Sequence, residues 1–203
     1  MSPTAERATA WMETQSGEQF WPTDPRPEDV RVDDIAHALA HICRYGGHVD
    51  RFYSVAEHCI LMSYAVSPKN ALHALLHDAT EAYVGDMIRP LKYQMPEYRK
   101  TEDRVWFAIA ESFGIDPVIP DEVHEADTRI LLDERAALKT QSRHAWGIDG
   151  HFEPLGVPIQ AWSPLLAKAQ YLGRLAELSD GIGQWKSTVT TPERRRRQEY
   201  PNE

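Results

Sequence analysis

The sequence predicts an all-α fold, a single-domain helical bundle, and three observations carry that expectation. Apolar residues recur at helical spacing in one segment after another. Those segments start and stop on residues that cap helices. No run alternates apolar and polar residues in the manner of a half-buried strand. The size agrees, because 203 residues with 42% apolar content suffice for one domain with a sizeable core and little more.

Residues 1–16 are polar without a strong period and are expected to form a loose N-terminal arm, with Trp11 its candidate anchor. The Pro-rich stretch Trp21–Pro27 reads as ordered loop or extended chain, since each proline disfavours helix before it. Ile35, Leu39 and Ile42 then fall at i, i+4 and i+7 behind Asp33 and Asp34, which suit a helix start. Ser54-Val55-Ala56-Glu57 matches a capping box that opens a helix over 55–66. Residues 70–84 are strongly apolar, with Leu72, Leu75, Leu76, Ala79 and Tyr83, and Gly85 is a natural stop. Val105, Trp106, Ile109 and Phe113 mark a helix over 96–113 that Gly114 ends. Residues 121–141, with Val123, Ile130, Leu131 and Leu138, and residues 164–178 complete the set. The bundle is expected over 17–180. The polar tail 181–203, which includes Arg194 to Arg197, is expected to be solvated and disordered.

A net charge of -9 repels a nucleic-acid backbone, so stable nucleic-acid binding is not expected. A small anionic substrate is compatible with that charge, because a local metal ion and a few cations outweigh a distant field. Cys43 and Cys59 lie in apolar helical stretches and read as buried reduced thiols, not as a disulfide framework. Met1 to Thr14 lacks an apolar signal region, and no stretch approaches eighteen apolar residues. No membrane association is expected, and the expected compartment is the cytoplasm. A homo-oligomer is compatible with this composition.

The most informative segment runs from Leu72 to Asp86. There His77, Asp78 and Glu81 interrupt a helix that otherwise wants to be buried. Burying such carboxylates without partners costs several kcal/mol, and a cation is a sufficient reason to hold them. His77 and Glu81 stand at i, i+4 on one face, and Asp78 lies about 100° round from His77. His58, in the first turns of the apolar helix after Ser54, is a candidate third ligand. Asp127, beside Ala126 on a stripe that should face the core, is the fourth. Asp121, Asp133 and Glu134 on the same helix are alternatives to Asp127. An N2O2 set suits Mn, Fe, Co, Ni or Zn, with Mg also admissible, more than Ca. The pairs His37–His41 and His73–His77 have zinc-compatible spacing but lack the motif that would make it persuasive. His48, in a Gly-rich turn, reads as structural.

Three segments in order resemble the H…HD…D signature of the HD-domain phosphohydrolases: Ala56-Glu57-His58, His77-Asp78-Ala79-Thr80-Glu81 and Glu125-Ala126-Asp127. The likeness runs from about Gly17 to Ser179 and is strongest to small bacterial and prophage 5′-deoxynucleotidase-like members. It implies a helical bundle of the HD-domain type, with a divalent metal held by His58, His77, Asp78 and Asp127. It also implies that Glu81 acts as general acid/base. In such enzymes an Arg-aromatic pair seats the nucleotide. Arg44-Tyr45, about fourteen residues before His58, matches that place, with Tyr45 where relatives carry Trp. Asp86 matches a residue that reads the sugar 3′-hydroxyl, and Lys92 is a candidate phosphate partner.

The function expected first is hydrolysis of the 5′-phosphate of (deoxy)nucleoside monophosphates. A deoxynucleoside triphosphate triphosphohydrolase, of the kind phages use against dATP, is the alternative. Third comes a nucleotide-binding regulatory module without turnover. Few cations lie near the motifs beyond Arg89, Lys92, Arg99 and Lys100, which favours the monophosphate.

Overall fold

The second helix, α2 (Val55–Ala65), is the axis of the fold, and its sequence explains why. It is apolar all round, and every residue from Val55 to Ser63 is buried. A helix of that kind needs partners on all sides. It finds them in α1 (Val32–His41), α3 (Ala71–Leu76), α7 (Asp121–Leu138) and α8 (Pro164–Ser179). The shorter α4 (Glu81–Val84) packs on α1. Next come α5 (Arg89–Lys92) and the long α6 (Pro96–Phe113). This computed structural model describes residue 7 and residues 10–179. The arginine-rich end of the tail lies outside them. Among the described residues the fold is mostly helical, as expected for an all-α chain, and no helix is long and apolar enough to cross a membrane.

Two apolar clusters flank α2. One joins α1, α3, α6 and α8 through Ile35, Leu39, Leu75, Ile109 and Tyr171. The other joins α2, α3 and α7 through Met62, Ala74, Val123 and Ile130. The buried Tyr171 hydroxyl is satisfied within the first, donating to the Leu75 carbonyl at 2.9 Å.

Several boundaries depart from the sequence reading. A two-stranded antiparallel hairpin, β1 (Met12–Glu13) with β2 (Gln19–Phe20), occupies the end of the segment expected as a loose arm. Strands of two residues leave no alternating run to read. Ser16 ties the hairpin to α1, its N–H and hydroxyl each donating to the Asp34 carboxylate at 2.8 Å. Asp34 thus serves the hairpin, not its own helix start, while Trp11 stays about half exposed. Helix α7 stops at Leu138, three residues before the expected end, with Lys139 at its cap.

The main correction concerns residues 70–84, expected as one helix. Between α3 and α4 the coil tightens, with Glu81 N–H on Asp78 O at 3.0 Å and Tyr83 N–H on Thr80 O at 2.9 Å. The Ala74 carbonyl, the acceptor an unbroken helix assigns to the Asp78 N–H, takes His77 Nδ1–H at 2.9 Å. A side chain competing for a backbone acceptor breaks the ladder. Gly85, at φ 82°, ends α4 as expected, its N–H on Glu81 O at 2.8 Å.

Candidate metal centre

The break at residues 77–80 faces α2 and α7, and the four expected ligands meet there. His58 Nε2 lies 3.3 Å from His77 Nε2, 3.3 Å from Asp127 Oδ1 and 3.5 Å from Asp78 Oδ2. His77 Nε2 lies 3.2 Å from Asp78 Oδ2. Ligand atoms about 2.1 Å from one ion would be spaced by roughly 3.0–3.4 Å.

The tautomers sharpen this. His58 Nδ1 is 2.7 Å from Glu134 Oε1, and a carboxylate only accepts, so Nδ1 carries the proton. His77 Nδ1 likewise donates to the Ala74 carbonyl. Each Nε2 is thus the atom left to face the other ring and the two carboxylates. Such a cluster needs something positive inside it, a proton or a metal ion. Burial opposes charge on His77, but the Asp78 carboxylate outweighs it and holds the imidazole pKa well above its ordinary value. Burial also works against the Asp127 carboxylate, yet His58 and His77 pull it far below the usual range. The site asks for a cation, and these residues could hold a divalent metal.

Cys59 comes within reach of His77 and Asp78 too. Its sulfur is 3.9 Å from His77 Nδ1, the protonated nitrogen, so it stands behind the ring. Burial pushes the thiol up to about 11, which keeps it protonated. Cys59 is buried, as expected of it, while Cys43 is half-buried.

Glu134 was weighed in the sequence only as a substitute for Asp127, and its place is different. It is fully buried on α7 and collects three partners. These are His58 Nδ1–H, the Tyr45 hydroxyl and, at 3.4 Å, Arg44 Nε. It fixes the orientation of one candidate ligand from behind. Seven residues separate it from Asp127, which puts both on one face of a helix, and that spacing was the signal available.

Arg44 is buried and also reaches Asp78 Oδ2 at 3.4 Å. It opens the turn Arg44–Gly47, in which Tyr45 takes φ 60° and Gly46 φ 59°. A left-handed tyrosine is strained, and here the hydrogen bond to Glu134 helps hold it.

Arg44 and Tyr45 line a cavity of about 600 Å³, together with Asp78, Glu81, Asp86, Lys92 and Asp127. Glu81 has a buried Oε2 with no hydrogen-bond partner. Burial first, then the carboxylates of Asp78 and Asp86, push its pKa well above the ordinary value against the pull of Arg44 and His77. Burial also raises Asp86, with Arg44 opposing. Lys92 lines the cavity but pairs with Glu102 at 2.6 Å, and Arg89 pairs with Asp127. His73 turns away to the Asp116 carbonyl, and His41 bonds the His37 carbonyl.

Comparison with known proteins adds the following. No family model matches the chain. YfdR of Escherichia coli is 35% identical over 179 residues, which cover 84% of this chain and 97% of that protein. A Rhodobacter capsulatus protein is 38% identical over 127 residues, covering 58% of this chain and 65% of its own. Neither name states an activity. The 5′-deoxynucleotidase plu3092 of Photorhabdus laumondii is 32% identical over 111 residues, covering 52% of this chain and 45% of that protein.

Proposed function

The chain belongs to the same family as Escherichia coli YfdR, and from that premise we propose that it is a metal-dependent phosphohydrolase of the HD-domain type that removes the 5′-phosphate of (deoxy)nucleoside monophosphates. The observation that carries this reading is the meeting of four potential ligands, His58, His77, Asp78 and Asp127, the last two of which line the cavity. The more distant likeness to a 5′-deoxynucleotidase supports the substrate class.

His58, His77, Asp78 and Asp127 would hold the ion, and their N2O2 character suits Mn, Fe, Co, Ni or Zn, with Mg admissible. Once bound, the ion supplies Lewis-acid polarisation of the phosphoryl group and a water acidified towards neutrality. Arg44 steadies Asp78 from the buried side and offers charge to the phosphate. The leaving nucleoside oxygen needs a proton, and Glu81 is suited to give it, since its surroundings favour the protonated carboxyl. Asp86 and Tyr45 line the cavity where the sugar would lie.

The monophosphate is favoured over the triphosphate by charge. Arg89 and Lys92, two cations on the cavity wall, are already committed to Asp127 and Glu102. The test is product analysis with a panel of deoxynucleoside mono- and triphosphates under added Mn, Co or Mg. Orthophosphate from monophosphates is expected. Inorganic triphosphate would assign the triphosphohydrolase instead, and no turnover under any metal would leave the binding module.

A further inference from the structure

The cavity wall is chemically mixed. Asp78, Glu81, Asp86 and Asp127 line it, and so do Met87, Ile88, Leu131 and two aromatic rings, Tyr45 and Trp146. The rings are not equivalent. Tyr45 is committed: its hydroxyl is bound by Glu134, and its ring carries Lys139 Nζ at 4.5 Å and the Arg44 guanidinium at 5.6 Å. Trp146 is half-buried, its centroid 6.1 Å from that of Tyr45, and it lines both this cavity and an adjoining open cleft.

Its placement is built. The backbone N–H of Trp146 donates to Asp149 Oδ2 at 2.9 Å. Arg135, in the last turn of α7, grips the same carboxylate at 2.7 and 2.8 Å and sets its guanidinium 5.1 Å from the indole centroid. A cation over an indole face helps to fix the ring's orientation.

We propose that Trp146 is the platform on which the heterocyclic base of the substrate stacks. The Arg135–Asp149 pair then serves as the positioning device that holds the indole at the cavity wall. This rests on the nucleotide reading above and deepens it: the enzyme recognises the base by its flat face. A stacking platform tolerates any base and favours the larger purine surface.

The experiment uses the full-length protein loaded with manganese. Calorimetry measures the dissociation constants of a 2′-deoxypurine nucleoside and of inorganic phosphate for the parent, Trp146→Ala and Trp146→Phe. Replacing the indole by methyl is expected to weaken the nucleoside roughly 10- to 100-fold, the usual worth of one stacked base. Phosphate affinity should stay unchanged, and Trp146→Phe should retain most nucleoside affinity. Asp149→Asn, which loosens the anchor but keeps the indole, should fall between. Unmoved nucleoside affinity in Trp146→Ala, or a parallel loss of phosphate affinity, overturns the platform. A parent inert to every nucleotide and blind to the nucleoside overturns the function as well. An active parent with a dispensable Trp146 removes this inference alone.

Discussion

His58 does two jobs with one ring. Its Nε2 faces the other candidate ligands, and its Nδ1 is held by Glu134 at 2.7 Å. That dependence is testable. In Glu134→Gln one of the two acceptor oxygens becomes an NH2 donor facing groups that are themselves donors, so the lock on His58, Tyr45 and Arg44 loosens. Metal affinity should fall about 10- to 100-fold, the usual cost of losing such a support. Competition with a fluorescent chelator measures it, and unchanged affinity would show that His58 needs no backing. Glu81 separates binding from chemistry. Glu81→Ala should keep metal and nucleotide but lose turnover by roughly 10²–10⁴-fold. A variant stripped of its metal would show that Glu81 is a ligand, and one with intact kcat would remove it from the mechanism. At this scale the sequence was informative about groups whose type is unusual for their surroundings: a histidine and two acids in an apolar helix announce themselves. It offered Glu134 only as an alternative to Asp127, because an acid on an amphipathic helix looks solvated until the packing face of α7 is known.

Between residues and molecule, the informative case is Glu57. The capping box was legible in Ser54 to Glu57, and half of it forms: the Ser54 hydroxyl accepts the Glu57 N–H at 3.1 Å. The glutamate side chain goes elsewhere. Its carboxylate accepts the N–H groups of Gln160 at 2.7 Å, Ala161 at 2.9 Å and Trp162 at 2.7 Å, clamping the segment that leads into α8. No local pattern encodes a bond across such a distance in sequence. The same limit explains the missed break in 70–84, where apolar periodicity continues through residues whose backbone has tightened. Removing the clamp leaves three part-buried N–H groups without their acceptor. Glu57→Ala should cost about 3 kcal/mol and lower Tm by roughly 6–12 °C for a chain of this length. Thermal unfolding followed by circular dichroism reads this directly, and a shift under about 2 °C would mean that water replaces the carboxylate.

Taken whole, the molecule concentrates acid. Asp78, Glu81, Asp86 and Asp127 share one cavity, with Glu134 behind it, in a chain whose net charge is already -9. A divalent ion bound there stabilises the native state by mass action, about 2.7 kcal/mol at a hundred times Kd. Chelation should therefore lower Tm by several degrees, and Mn or Co should restore it in the parent but not in His77→Ala. Equal shifts in both proteins would place the metal elsewhere. The spacing of the partners adds a consequence in time. His58 meets His77 across 19 residues, but meets Glu134 across 76, and the Glu57 clamp spans 103. Short connections close first and long ones late. The pairing of α2 with α3 can precede the arrival of α7, so the complete ligand set belongs to the finished fold and not to the barrier leading to it. Contacts absent from the transition state act on the reverse rate. Added metal should leave the refolding rate nearly unchanged and slow unfolding, so that the ion sets how long the folded state lasts more than how quickly it forms.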